Sequence, residues 1–147
     1  MYGSKGKIGV IVPSLNNALE PEFNQMVPDG VAVYATRLPL ERGLPEDLKS
    51  MAEDVEFAGE LLKHAGVDVI AYCCTSGSLI EGINWDEAIT KRIKEVTDLP
   101  VTTTASSVVK AMMLSGEKVK IAGFIDKNTN YKNSFAEVIG IDQDIKS

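Results

Sequence analysis

A chain of 147 residues with 44% hydrophobic and 24% charged residues has the length and balance of one folded domain. Its formal charge of -6, from 15 Lys and Arg against 21 Asp and Glu, argues against general affinity for nucleic acid or anionic membrane, since both need clustered cations. The longest apolar runs, such as residues 8–12, are too short to cross a bilayer, and no signal-peptide pattern opens the chain, so a cytoplasmic protein without a membrane partner is expected.

In chain order, the β-branched run at 8–12, ended by Pro13, predicts a first strand. The stretch PSLNNALEPEFNQMVP mixes loop formers with Leu19, Phe23 and Met26, the spacing of a short helix starting near Leu19. Residues 31–36 predict a second strand. Over 45–65, apolar Leu48, Met51, Val55, Ala58, Leu61 and Leu62 recur at helical spacing with charges between them, which predicts one helix closed by Gly66. A third strand over 67–74 is apolar on both parities, as expected where helices cover both faces. Asn84 is placed to cap a helix over 85–96, with Asp86 and Glu87 in its first turn. A fourth strand at 100–103, a helix at 105–115 and a fifth strand at 118–125 follow. The polar remainder holds one short helix at 130–138.

Strands alternating with helices predict an α/β fold: a flavodoxin-like, doubly wound parallel sheet of four to five strands with right-handed crossovers, in a single domain. That domain is expected to occupy 1–125, with 126–147 as a polar C-terminal segment. Ligands of such sheets bind beyond the carboxyl ends of the strands. Three segments reach that end: 13–17, 74–78 and 102–107.

Cys73 and Cys74 are the only cysteines and stand side by side. Neighbours in sequence bond to each other only through a strained ring, so no structural disulfide within the chain is expected. A metal site needs more ligands at ordered spacing than the single histidine, His64, supplies, so none is expected. The remaining readings are buried thiols or one reactive thiol. Cys74 is followed by Thr75, Ser76, Gly77 and Ser78, a set of hydroxyl and backbone N–H donors of the kind that stabilises a thiolate or holds a carboxylate. Successive strand side chains face opposite ways, so the two cysteines do not share one site. Cys74, nearer the loop, is the candidate for chemistry and Cys73 the candidate for packing.

Ser14, Asn16 and Asn17 are uncharged donors suited to orienting a carboxylate, although the same residue types fill ordinary turns. Thr102, Thr103 and Thr104 could line the same cleft. Glu20 and Glu22 read as first-turn residues of a helix, His64 as a solvated helix-end residue, and the charges at 91–94 as a solvated face. No GxGxxG or Walker sequence is present, and no cofactor is expected.

GVIVPSLNNALEPEF after the first strand and VIAYCCTSGSLIEG after the third together resemble the maleate cis-trans isomerase and arylmalonate decarboxylase group of the aspartate/glutamate racemase superfamily. The resemblance extends roughly over 7–124 and includes LPVTTTASSVVKAM after the fourth strand. It implies a cofactor-free site for a small carboxylate or dicarboxylate. Cys74 matches the cysteine that acts as nucleophile in the isomerases or as a proton-transfer thiol in the racemases. The decarboxylase has glycine there, so Cys74 favours isomerase or racemase chemistry. Asn16 matches the asparagine that contacts the substrate carboxylate, and Thr75 and Ser76 match the pocket donors after the cysteine.

The chain also departs from that pattern. Members of the group have a second, similar half that supplies another cysteine across the cleft, and no such thiol is present among these residues. Their tyrosine after the fifth strand, in a TPY sequence, is replaced here by GFIDKN, with Tyr131 as a displaced candidate. Three readings follow: an isomerase- or racemase-like enzyme completed by a second copy in a homodimer, a carboxylate-binding half without turnover, or a self-associating half domain.

Overall fold

Four strands, β1 (Gly6–Pro13), β2 (Val31–Leu38), β3 (Val69–Tyr72) and β4 (Val101–Thr103), pair in parallel in the computed structural model, which describes residues 2–82 and 84–115. Their order is β2-β1-β3-β4. The chain therefore leaves β1 in one direction to reach β2 and continues on the other side of it with β3 and β4, the flavodoxin-like winding expected from the sequence. The reversal opens a crevice at the carboxyl ends of β1 and β3.

Register fixes what faces what. Ile11 pairs with Tyr72, and the Cys73 amide extends the ladder one step by donating to the Ile11 carbonyl at 2.8 Å. Tyr72 and Cys74 thus share one face of the sheet with Ile11 and Ile70. That face packs on Leu48, Met51, Val55, Ala58, Leu62, Ile89 and Ile93 in one continuous core. Val10, Val12 and Cys73, on the opposite parity, point to the other face and are also buried. Each such aliphatic side chain contributes about 1.5–3 kcal/mol through its removal from water.

The helices are α1 (Leu19–Met26), α2 (Pro45–Met51), α3 (Val55–His64), α4 (Thr75–Leu79), α5 (Trp85–Thr97) and α6 (Thr104–Ser115). The single helix expected over 45–65 is two, joined by a 3-10 turn at Ala52–Asp54. Asp54 departs from helical backbone angles at φ -98° and ψ 11°. The bend lets one apolar stripe serve two neighbours, with α2 lying on α4 while α3 lies on β1, β2 and α5. Close approach of α3 to α5 requires Gly59, where a Cβ would stand 3.1 Å from Ile93 Cγ2 and 3.2 Å from Thr97 Cγ2.

Other boundaries shift for local reasons. The third strand stops at Tyr72 because Cys74 already serves as the N-cap of α4, a helix not expected from the sequence. Asn84 does not cap α5 through its side chain; it sits in the left-handed region at φ 67° and turns the chain into the helix. The expected fifth strand at 118–125, the short helix at 130–138, the boundary after residue 125 and Tyr131 lie outside the described residues.

Candidate active site

The crevice between β1 and β3 is bordered by the loops that follow these strands. Cys74 follows β3 at its carboxyl end with extended backbone, φ -139° and ψ 105°; its side chain is buried in the core, and its sulfur accepts the Gly77 amide at 3.2 Å. Ser78 anchors the turn beneath, donating its hydroxyl to the Cys74 carbonyl at 2.6 Å, and Trp85 Nε1 donates to the Gly77 carbonyl at 2.9 Å. A chain of poor helix formers, TSGSL, is thereby held as one short helix by its cap and by two side-chain bonds to its backbone.

Burial acts against the stabilised thiolate that the local composition suggests. Burial pushes the Cys74 thiol above the ordinary range, and the Gly77 amide only partly opposes it. Cys73, on the other face, is pushed up to about 12 by burial and then by the neighbouring Cys74 charge. Thr75 and Ser76 are exposed on the turn that follows Cys74, and neither hydroxyl bonds to another described residue.

The loop after β1 is tied down more than its sequence indicates. Ser14 Oγ donates to the Leu40 carbonyl at 3.1 Å and accepts the Leu40 amide at 2.9 Å, so its hydroxyl clamps two loops together. Asn16 Oδ1 accepts the amides of Ala18 and Leu19, each at 3.0 Å, and so starts α1. Its Nδ2 group has no partner among the described residues. Arg37, from the end of β2, donates to the carbonyls of Ser14 at 3.1 Å and Asn16 at 2.9 Å and pairs with Glu20.

The third loop is also engaged. Asp86, 6% exposed, accepts bonds from the hydroxyls of Thr103 and Ser106, joining the first turns of α5 and α6. Thr102 shares a 2.9 Å bond with Ser107, and Thr104 donates to the Tyr72 carbonyl at 3.4 Å. The structure thus brings Cys74, Thr75 and Ser76 together on one loop and sets Ser14 and Asn16 on the adjacent one, while the threonines at 102–104 serve local bonding. Sequence reading missed Arg37, Asp86 and Trp85 as organisers of these loops. The charge on Arg37 at a strand end was the available signal; the other two bonds depend on tertiary contact.

Among the described residues no group of three or more His, Cys, Asp or Glu side chains is placed to hold a metal ion. No helix among them is long and apolar enough to cross a membrane.

Known proteins resemble this chain in sequence and in fold. The chain is 27% identical over 118 residues to the maleate isomerase of Pseudomonas putida, covering 72% of this chain and 47% of that protein. It is 28% identical over 109 residues to the arylmalonate decarboxylase of Bordetella bronchiseptica, covering 74% of this chain and 45% of that one. A cysteine variant of a Pseudomonas putida maleate isomerase, solved with maleate, matches with a TM-score of 0.75 at 21% identity, over 92% of this chain and 58% of its own, and shares the fold. The chain spans about half the length of the curated relatives it matches. The arylmalonate decarboxylase family model matches residues 8–141, a span that takes in β1, the cysteine loop and all three crevice segments, and the chain therefore belongs to that family.

Proposed function

We propose that this chain is a cofactor-independent isomerase of the maleate isomerase or racemase type, acting on a small carboxylate or dicarboxylate in the cytoplasm, with Cys74 as the reacting thiol. The observation that supports this reading is the place of Cys74 just past the carboxyl end of β3, next to β1, with its sulfur on the Gly77 amide and the exposed Thr75 and Ser76 following it in the chain. In the isomerase form the Cys74 thiolate adds to one alkene carbon of maleate, and the electron pair of the double bond moves toward the adjacent carboxylate. Rotation about the resulting single bond follows. Breaking the carbon–sulfur bond then re-forms the alkene as the trans product and returns the thiolate. Uncharged donors to the carboxylate hold the transient charge, and Asn16 Nδ2, Thr75 and Ser76 are the groups assigned to that in this reading.

Cys73 lies on the opposite face of the sheet, so the described residues bring one thiol to this site. A second copy related by a two-fold axis offers a second Cys74, which restores a two-thiol site.

Maleate consumption, or solvent deuterium entering a chiral carboxylic acid, tests the assignment. Activity is expected to vanish in Cys74→Ser and to persist in Cys73→Ser, in a protein that light scattering shows as a dimer. Equal loss in both variants, or turnover by a monomer, would overturn it. The burial of Cys74, which pushes its thiol above the ordinary range, also supports a second reading, a carboxylate-binding half without turnover. Under that reading millimolar maleate raises the melting temperature while no product forms.

A further inference from the structure

Tyr72 is 1% exposed, and its hydroxyl is the one buried side-chain polar atom among the described residues without a hydrogen-bond partner. Phenylalanine would fill the same space without stranding a donor, so packing alone does not account for the hydroxyl. Its position does. Tyr72 and Cys74 lie two residues apart on one face of the sheet and in the same core. Both crowd the space beside Gly77: a Cβ there would stand 2.6 Å from Tyr72 Oη and 3.0 Å from Cys74 Sγ. Only glycine keeps that space open between phenol and thiol, and the same glycine places its amide on the sulfur.

We propose that the Tyr72 phenol is the second donor for the Cys74 thiolate. When the thiol loses its proton, Tyr72 Oη and Cys74 Sγ, which both border the space beside Gly77, come to bonding distance, and the phenol O–H joins the Gly77 N–H in holding the charge. No proton moves from the phenol in this step; a hydrogen bond forms and the phenol stays neutral. Burial, followed by the charge of Cys74, holds Tyr72 far above the ordinary phenol range, so it remains a donor wherever the thiol ionises. Tyr72 is thus a positioning residue, acting through Cys74.

The surrounding charges leave this role to Tyr72. Arg92 on α5 reaches the phenol electrostatically but is paired with Glu56 on α3. On α2, Lys49 is paired with Glu81 and Asp47 with Arg42 at the surface. Asp86 on α5 is bonded to Thr103 and Ser106. Cys73 lies on the opposite face and is itself pushed up to about 12. Burial and the Gly77 amide are the influences acting on the thiol.

The inference rests on Cys74 being the reacting thiol, but its test needs no turnover. The rate of Cys74 alkylation by iodoacetamide is followed against pH in a Cys73→Ser background, with and without Tyr72→Phe. Removing the phenol is expected to raise the midpoint by about one pH unit, an about tenfold slower reaction at neutral pH, with an equal or higher melting temperature. Superimposable profiles would overturn the proposal. Replacing tyrosine biosynthetically by 3-fluorotyrosine keeps the packing and strengthens the donor, so the midpoint is expected to fall; an unchanged midpoint also counts against the role. A shifted profile in a protein without turnover supports this inference while overturning the isomerase reading, and an unshifted profile in an active enzyme does the reverse.

Discussion

The Gly77 amide and the Cys74 sulfur, 3.2 Å apart, join the cap of α4 to the thiol proposed to react. Because one bond serves both, a side chain at position 77 disturbs structure and chemistry together. Its Cβ would meet Tyr72 Oη at 2.6 Å, Cys74 Sγ at 3.0 Å and Met51 Cε at 3.1 Å, and only the last belongs to a flexible side chain. Gly77→Ala is expected to destabilise the protein by about 1–3 kcal/mol in urea titration, the usual cost of overpacking. A change within about 0.5 kcal/mol would show that the loop yields freely.

The buried thiols set a pH dependence. In the unfolded chain they ionise in the ordinary thiol range, whereas in the fold Cys74 is raised and Cys73 is raised to about 12. Between those values the native state binds more protons, so the stability linked to them is fully present below the ordinary range and is lost as pH rises toward about 12. Unfolding free energy is expected to fall by about 1.4 kcal/mol per pH unit for each raised thiol above roughly pH 8.5. In Cys73→Ala the slope, read from urea midpoints across that range, is expected to be shallower. An unchanged slope would show that Cys73 does not contribute.

Asp86 predicts a different loss. Its buried carboxylate receives the hydroxyls of Thr103 and Ser106, and Thr103 Oγ1 also accepts the Ser106 amide at 3.1 Å. Asp86→Ala leaves these groups without their acceptor between α5 and α6, and a loss of about 1–3 kcal/mol is expected. Hydrogen exchange should show it as early opening of the first turn of α6.

Much of this fold was legible because apolar periodicity reports burial directly. The run at 8–12 fills the second strand position of the sheet, and the alternation of β3 continued past Tyr72 puts the two cysteines on opposite faces, with Cys74 in the core beside Tyr72 and both thiols buried. The break at Ala52–Asp54 was not legible, because the apolar stripe continues through it and only the differing neighbours of α2 and α3 require a bend. Nor was α4, whose sequence disfavours a helix until Cys74 and Ser78 fix its ends. At the site, counting hydroxyls around Cys74 suggested a stabilised thiolate, yet the hydroxyls of Thr75 and Ser76 do not reach the sulfur and one amide does. The hydroxyl of Ser14 is engaged by Leu40, a partner that no local pattern announces.

Asn16 allows the structural and binding roles of the first loop to be separated. Its Oδ1 accepts the amides of Ala18 and Leu19 and starts α1, while its Nδ2 has no described partner and is the group assigned to a substrate carboxylate. Aspartate retains both acceptors and places a negative charge where helix N-termini favour one, but it removes the donor and repels an anion. Asn16→Asp is therefore expected to keep its melting temperature within a few degrees of the parent and to lose the stabilisation given by millimolar maleate. Asn16→Ala loses the acceptor as well and should be less stable by about 1 kcal/mol, with the same loss of response to maleate. If Asn16→Asp still responds to maleate as the parent does, the carboxylate lies elsewhere and Asn16 is only the start of α1.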